Sequence, residues 1–298
     1  FFRIGRAMLV KKGGHWRLYS YHIPGTGGQC LMAPPGEAPP YRLYHLGGGL
    51  ANLLLALLAL HVLFLTASPL LRVFTGVLAL IGGWMAGTNL IPMKLGGLAN
   101  DGKNVRDLGK DPPALRCLST QLWINEALLE GRPLAEMPEE WFTLPGNADL
   151  GNHIVAGTAM QAAARMLECG EIEKADRAFR ALLDRADLLD LYRMEITCEV
   201  IFCGLLLGRP RAELEALNTP ALEKYRRSTR PYFAARSRQD YAWALLAEGD
   251  RERARTIRRN FDRVTERSPY SGELAGERNL LDRVDRFAGS GIPYTERP

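Results

Sequence analysis

Charged side chains are missing from two long stretches of this 298-residue chain. No Asp, Glu, Lys or Arg occurs in residues 43–71 or in residues 73–93. A helix on the surface of a soluble protein normally keeps one polar face, which these stretches lack. About 20 apolar residues in a helix cross the roughly 30 Å hydrocarbon core of a bilayer. The sequence therefore predicts two transmembrane helices, at about residues 46–67 and 71–93.

The sequence also lacks familiar arrangements of cysteine and histidine. Its five cysteines form no Cys-x-x-Cys and no spacing typical of disulfides, which favours unpaired thiols in a reducing compartment. No His-Glu-x-x-His occurs, although this pattern places two zinc-binding histidines and a general base on one helix in many metalloproteases. The chain by itself is therefore expected neither to hold a catalytic zinc ion tightly nor to hydrolyse peptides.

No nucleic-acid partner is expected, despite a formal net charge of +5. The basic residues stand beside acidic ones or flank the two apolar stretches, where they orient a membrane protein. Basic side chains precede the first stretch and follow the second, whereas the connection between them carries only Arg72. The positive-inside rule therefore predicts that residues 1–44 and the C-terminal tail lie in the cytoplasm. The expected location is a bacterial-type cell membrane, with the chain as an integral membrane protein.

Residues 1–44 are predicted to form short strands. Ala7–Val10 and Trp16–Ile23 carry β-branched and aromatic residues, and the turn signal Lys11–Gly14 lies between them, which indicates a β-hairpin. The chain starts without an initiator Met, inside the strand-like stretch Phe2–Gly5, and shows no signal peptide. This start predicts that the chain is truncated at its N-terminus.

The charge-rich tail contains an internal repeat. A leucine-rich helix end followed by glycine recurs at Gly131, Gly170, Gly208 and Gly249. Each glycine suits a helix C-cap, where φ is positive, and an alanine five positions after two of them would let the next helix pack closely. A period near 40 residues built from helix pairs is typical of an α-solenoid. The tail resembles tetratricopeptide-like repeats, with a longer period.

Three short motifs occur in a defined order in the first 106 residues. Gly48–Asn52 reads Gly-x-x-x-Asn within the first apolar stretch, and Asn89–Pro92 reads Asn-x-x-Pro at the end of the second. Asp101 follows that proline by nine positions and precedes a glycine. Together with the strand-like Phe2–Gly5, these motifs resemble the site-2 protease family of intramembrane zinc metalloproteases. That family carries His-Glu-x-x-His, then Gly-x-x-x-Asn, then Asn-x-x-Pro followed by Asp-Gly.

The resemblance implies an activity and a set of site residues. It makes Asp101 a zinc ligand, since a zinc hydrolase takes three protein ligands and leaves one position for water. The two histidines and the general base would come from a missing upstream helix. The resemblance assigns Asn89 and Asn52 to the substrate backbone or the developing oxyanion, and an amide in an apolar span is costly unless it is paired or functional. The N-terminal strands would hold an extended substrate at a sheet edge.

Two departures from the family pattern leave alternatives open. The His-Glu-x-x-His helix is absent, and the family commonly has about five residues between the proline and the aspartate, so that Gly96 and Gly97 would belong to a longer loop. Asn100–Gly102 is also an ordinary surface turn. A pseudoprotease and a membrane-anchored helical-repeat adaptor remain alternatives. A transporter or channel subunit fits less well, because two spans offer little material for a pore.

The sequence thus predicts a mainly α protein of two parts. Residues 1–110 would form a membrane-embedded protease-like domain, with a short N-terminal β-hairpin segment, two transmembrane helices and a metal-ligand loop at residues 94–106. Residues 111–298 would form a cytoplasmic α-solenoid of helix pairs. The predicted activity is zinc-dependent hydrolysis of membrane-protein or peptide substrates, with a cytoplasmic protein partner bound by the helical repeats.

Overall fold

The computed structural model of the chain describes residues 1–21, 28–32, 36, 40–265 and 268–289. Over these residues the chain is 70% helical, with 12 helices, a small N-terminal antiparallel sheet and two helices that are long and apolar enough to span a membrane. The predicted fold class, mainly α with a short N-terminal β segment, two apolar helices and a helical tail, is confirmed.

The chain divides into two compact units. One comprises Phe1–Ala33 together with Thr120–Pro298, and the other comprises Pro34–Ser119. The N-terminal strands therefore group with the helical tail, whereas the boundary predicted at residue 110 groups them with the apolar helices. Proximity along the chain suggested that boundary, but contacts made by the folded sheet produce the other grouping.

Four strands form the N-terminal sheet: β1 Phe2–Ile4, β2 Ala7–Lys12, β3 His15–Ser20 and β4 Gly28–Cys30. Neighbouring strands are antiparallel, in the order β3-β2-β1-β4. β2 and β3 form the predicted hairpin, and the last two positions of the predicted strand Trp16–Ile23 lie outside the described residues. β3 is an edge strand, as a substrate-binding strand would have to be.

One face of this sheet is part of the core of the helical tail. Met8 and Val10 on β2 are 0% and 1% exposed, and they form an apolar cluster with Leu129 and Tyr270. The ring of Tyr270 also meets the ring of Tyr21 edge to face at 5.8 Å. Alternation along β2 places every second side chain on this face, which is why the strand buries two residues of the Ala7–Lys12 segment and exposes the rest in part.

Two long apolar helices follow, α1 Tyr41–Leu65 and α2 Pro69–Leu90. α1 begins five residues before the predicted transmembrane start, because helical structure continues into polar residues that hydropathy does not count. α2 ends three residues before the predicted end, since Ile91 precedes Pro92 and is extended, with φ −75° and ψ 120°. Only 17% of the most apolar stretch of each helix is buried, which fits lipid-facing helices better than the core of a soluble protein.

Small residues bring α1 and α2 together. His45, Gly49, Ala56 and Ala59 are the buried residues of α1, and their spacing places them along one helix face. A Cβ on Gly82 of α2 would lie 3.1 Å from the Cβ of Ala56. Small side chains of this kind let two helix backbones approach closely, as is common between helices in membranes.

Two short strands and a helix come next: β5 Lys94–Leu95, β6 Leu98–Ala99 and α3 Asp101–Asp107. They occupy most of the segment predicted to be a loop at residues 94–106. Gly96 and Gly97 form the turn between the strands with φ of 57° and 86°, and two positive φ values are what a tight type I′ hairpin turn requires. The long spacing between the proline and the aspartate is therefore an ordered hairpin.

Nine more helices complete the described part of the chain: α4 Pro112–Glu130, α5 His153–Cys169, α6 Ile172–Leu183, α7 Asp190–Leu206, α8 Arg211–Leu217, α9 Pro220–Thr229, α10 Ala234–Ala242, α11 Arg251–Thr265 and α12 Ser271–Gly289. A π-helical turn, Trp243–Ala247, extends α10. Successive helices contact each other, α5 with α6, α6 with α7 and α10 with α11, and these helices share one large apolar core.

The four glycines of the predicted repeat all have positive φ: Gly131 102°, Gly170 88°, Gly208 67° and Gly249 68°. The two alanines expected to permit close packing, Ala175 and Ala254, are 0% and 2% exposed. These local predictions are confirmed. The likeness to tetratricopeptide repeats stays a prediction.

Candidate functional site

The first turn of α3 carries the predicted zinc ligand, Asp101. Asn100 immediately precedes it as the N-cap residue, with an extended backbone, and its side-chain Oδ1 accepts a hydrogen bond from the backbone N–H of Lys103 at 3.0 Å. Such a cap satisfies one of the backbone donors that have no partner within a helix. The cap fixes where α3 begins, and so fixes the position of the Asp101 backbone.

The side chain of Asn100 also joins α3 to the end of α2. Its Oδ1 accepts from the backbone N–H of Met93 at 3.0 Å, and its Nδ2 donates to the carbonyl oxygens of Thr88 at 2.7 Å and Ile91 at 2.6 Å. Carbonyl groups in the last turn of a helix lack partners within that helix. The buried side-chain amide of Asn100 thus supplies hydrogen-bond partners to backbone groups at the end of α2, at the start of the hairpin and at the start of α3.

Gly102 lets α3 approach α2 without a gap. A Cβ at this position would overlap the carbonyl oxygen of Leu90 and would lie 3.2 Å from the carbonyl oxygen of Asn89. Only glycine fits this close approach. The glycine of the Asp-Gly motif therefore has a packing role here, which brings the Asp101 backbone against the last turn of α2.

The carboxylate of Asp101 contacts the first apolar helix. Its Oδ1 lies 2.9 Å from Nδ1 of His45 on α1; the side chain of His45 is 7% exposed and that of Asp101 is 39% exposed. An ionised carboxylate only accepts hydrogen bonds, so Nδ1 of His45 carries the proton in this pair. Nε2 of His45 is buried and has no hydrogen-bond partner among the described residues. A buried ring nitrogen without a partner is unusual in a folded protein.

The two predicted asparagines lie near this pair to different degrees. Asn89 is in the last turn of α2, beside Gly102 through its backbone. Asn52 is seven residues beyond His45 on α1, which is about 10 Å along the helix and nearly the same helix face. Both side chains are half-buried, and neither makes a hydrogen bond within the part of the chain that the structure describes.

The described residues do not complete a zinc site. Asp101 and His45 offer two groups that could bind a metal ion, but the described residues contain no group of three or more His, Cys, Asp or Glu side chains placed to share one. A zinc hydrolase normally uses three protein ligands. The residues present therefore fit at most part of such a centre.

Sequence reasoning missed His45 and Asn100. No other histidine stands at ligand spacing from His45 in the sequence, and Asn100 belongs to a motif that also reads as an ordinary turn. One signal for His45 was available: it precedes Gly49 by four positions and Asn52 by seven, which places all three on one face of a helix. No feature of the sequence indicated that Asp101 would meet this face, because 56 positions separate the two side chains.

In comparisons with known proteins, no family model, no curated protein and no solved structure matches this chain. The likeness to site-2 proteases therefore rests on the motif residues alone, and any assignment of function must come from the geometry of the site.

Proposed function

We propose that this chain is the membrane-embedded and cytoplasmic part of an intramembrane zinc metalloprotease, in which Asp101 is one metal ligand. The observation that carries the proposal is the position of the Asp101 carboxylate, 2.9 Å from the buried His45 at the start of the first apolar helix. The competing interpretation, an ordinary surface turn at Asn100–Gly102, predicts a carboxylate turned away from both helices. The contact with His45 argues against it.

Neighbouring residues hold both the side chain and the backbone of Asp101, as a metal-binding carboxylate requires. Ligating groups are normally held by hydrogen bonds from neighbouring side chains. The N–H of His45 holds Oδ1 and leaves Oδ2 outside the pair, while Asn100 and Gly102 hold the backbone. His45 acts as a positioning residue in this scheme.

The remaining parts of the centre would come from outside this sequence. A histidine pair and a glutamate of the His-Glu-x-x-His type would complete the zinc ligands and supply the general base. Asn89 and Asn52, whose side-chain amides make no hydrogen bond among the described residues, would bind the backbone of the substrate. The basic residues that flank α1 and α2 would place the helical tail in the cytoplasm.

The test is to express the chain with the coding sequence that precedes it, and to compare Asp101→Asn with Asp107→Asn. Asp107 lies on the same short helix, where side-chain hydrogen bonds from Arg106 and Lys103 lower its pKa to about 2, so it is a matched carboxylate with a local role. Bound zinc is measured by atomic emission, and cleavage is measured with fluorescently labelled casein.

We expect Asp101→Asn to lose bound zinc and to reduce cleavage by at least about a hundredfold, because a ligand substitution costs more than the roughly 10- to 100-fold of an outer-shell one. Asp107→Asn should keep both. Zinc content and cleavage that survive in Asp101→Asn would refute the proposal.

A second candidate, a non-catalytic membrane-anchored adaptor or pseudoprotease, is favoured by one observation. The described residues hold no group of three or more potential metal ligands. The preceding coding sequence separates the two candidates, because an adaptor does not require His-Glu-x-x-His and tolerates Asp101→Asn without any loss of function.

A further inference from the structure

The helical tail contains a pocket of about 410 Å³. Its volume is in the range of about 300–1,000 Å³ typical of sites for small ligands. The pocket lies within one compact unit, and α4, α5, α7, α10 and α12 each contribute residues to its wall. The lining combines apolar side chains, such as Leu128, Leu167 and Leu280, with an unusual number of glutamates.

Four of the residues that line the pocket are evenly spaced along the sequence. Met160, Glu199, Arg238 and Glu277 all line it, and successive members are 39 residues apart. Arg238, only 2% exposed, donates from Nη2 to Glu199 at 2.8 Å and from Nε to Glu277 at 2.6 Å. Equivalent positions of successive repeats therefore meet in the pocket, and one guanidinium group is shared by two carboxylates.

Two further glutamates of the pocket have no cationic partner within the described residues. The side chain of Glu168 accepts hydrogen bonds only from backbone N–H groups, including that of Ala135 at 3.0 Å. Glu273 makes no hydrogen bond or ion pair among the described residues, and the carboxylates of Glu277, Glu168 and Glu195 repel its charged form. Burial raises the pKa of both Glu168 and Glu273 to about 7. Both side chains are half-buried, and carboxylates that have lost much of their water are costly unless something compensates them.

Two other polar atoms at the pocket are also without partners. Nη1 of Arg238 is a buried donor with no acceptor, and Oε1 of Gln161 is a buried acceptor with no donor, among the described residues. Both residues line the pocket. A peptide group supplies a carbonyl acceptor and an N–H donor together, so a peptide backbone would satisfy both atoms.

We propose that this pocket binds a short polypeptide segment by its basic side chain, with an arginine or lysine head group between Glu168 and Glu273 and the adjoining peptide group between Arg238 and Gln161. The apolar lining contacts the methylene groups of the basic side chain, as commonly occurs when such a chain is buried. The site does not depend on Asp101, and its existence is independent of any protease activity.

An organic cation fits the pocket better than a metal ion does. Although five glutamates line it, no three carboxylates among the described residues are placed to share one ion. An extended head group with several N–H donors can instead reach carboxylates that stand apart.

Isothermal titration calorimetry on the full 298-residue chain in detergent tests the proposal. The probes are the capped tripeptide Ala-Arg-Ala, the same peptide with uncharged norleucine in place of arginine, and butylguanidine, which has the head group without a peptide. The variant is Glu273→Gln, which removes the charge while keeping the shape. Glu171→Gln, on an exposed glutamate paired with Lys174 outside the pocket, is the matched control.

We expect the arginine peptide to bind at least about tenfold more tightly than the norleucine peptide, and Glu273→Gln to remove most of this preference. Glu171→Gln should keep it. Butylguanidine should bind the unsubstituted chain about tenfold more weakly than the arginine peptide, because it cannot satisfy Arg238 and Gln161.

Affinity for the arginine peptide should also rise between about pH 6 and about pH 8. The titratable and charged groups that line the pocket with Glu273 are Glu168, Tyr192, Glu195, Glu199, Arg238 and Glu277, and Tyr21 and Tyr270 also interact electrostatically with Glu273. Since the pKa of Glu168 and of Glu273 is raised to about 7, both carboxyls gain charge over this interval, and Glu273→Gln should flatten the dependence.

Equal binding of the arginine and norleucine peptides, or an unchanged preference in Glu273→Gln, overturns the proposal. Butylguanidine binding as tightly as the arginine peptide overturns the peptide part and leaves a site for a free organic cation. Because binding is the only readout, these outcomes do not depend on whether Asp101 binds zinc.

Discussion

At the scale of single residues, the candidate site depends on contacts between positions that are far apart in the sequence. His45 meets Asp101, and Asn100 satisfies backbone groups of Thr88, Ile91 and Met93. The sequence motif predicted which residue carries the carboxylate. It did not predict what holds that carboxylate, because a hydrogen bond between distant residues leaves no spacing that can be read from the chain.

The contact between His45 and Asp101 leads to a prediction for two substitutions. If Asp101 binds zinc as proposed, His45→Ala in protein expressed with its preceding coding sequence should lower zinc affinity and cleavage of labelled casein by about 10- to 100-fold, because it removes the donor that orients the carboxylate. His45→Asn keeps a side-chain donor and should restore part of both. Titration with a fluorescent zinc indicator measures the affinity.

The comparison between these two variants distinguishes positioning from mere packing. If His45 only fills space, both substitutions should lower thermal stability and neither should affect zinc affinity at a temperature where the protein is folded. Equal zinc affinity in the parent chain and in His45→Ala would therefore contradict the positioning role.

At the scale of elements, the ends of helices could be predicted from the local sequence, whereas the contacts between helices could not. The positive φ of the four glycines after helix ends and the end of α2 before Pro92 were predictable, because φ preference and the restriction before proline act within a few residues. The hairpin of β5 and β6 lies where the sequence predicts a loop, although Gly96-Gly97 is a common turn sequence. Each strand has only two residues, too few for a recognisable alternation.

Close packing of α3 on α2 predicts that Gly102→Ala destabilises the Pro34–Ser119 unit. The added methyl group would overlap the carbonyl oxygen of Leu90, and such overpacking typically costs about 1–3 kcal/mol of unfolding free energy. Gly83→Ala on α2 is the control, since a Cβ there meets nothing within 4 Å. Thermal unfolding in detergent, followed by circular dichroism, provides the measurement.

We expect Gly102→Ala to melt at a lower temperature than the parent chain and Gly83→Ala to melt at the same temperature or slightly higher, because alanine has the better helix propensity. A melting temperature for Gly102→Ala equal to that of Gly83→Ala would mean that α3 does not pack on α2 as described.

At the scale of the whole molecule, the order of segments along the chain does not match their grouping in space. The sheet of the first 33 residues belongs with the unit that starts at Thr120, and the apolar helices form a unit of their own. Composition separated apolar from charged segments well. It assigned the strands to the nearer segment, because composition contains no information about which surface an amphipathic strand covers.

This grouping predicts that a substitution in a strand destabilises the helical tail. Met8→Ala should lower the free energy of unfolding of that unit by about 2–5 kcal/mol, since Met8 is 0% exposed and packs with Leu129 and Tyr270. Leu9→Ala is the matched control, because Leu9 is the next residue, on the opposite face, and 37% exposed; its effect should stay within about 0.5 kcal/mol.

Chemical unfolding followed by the helical signal at 222 nm measures both changes. A Met8→Ala variant whose helical tail unfolds at the same denaturant concentration as Leu9→Ala would contradict the packing of the sheet on the tail.

The sequence by itself determined the two apolar helices, the glycines of positive φ that follow helix ends and the mainly helical class, because hydropathy, φ preference and helix periodicity are local properties of the chain. Only the tertiary structure decided that Asp101 faces His45, that Asn100 joins α2 to α3, and that Glu199, Arg238 and Glu277 line one pocket. The physical reason is the same in each case: these are hydrogen bonds and close approaches between segments distant along the chain, and they exist only after the apolar faces have packed.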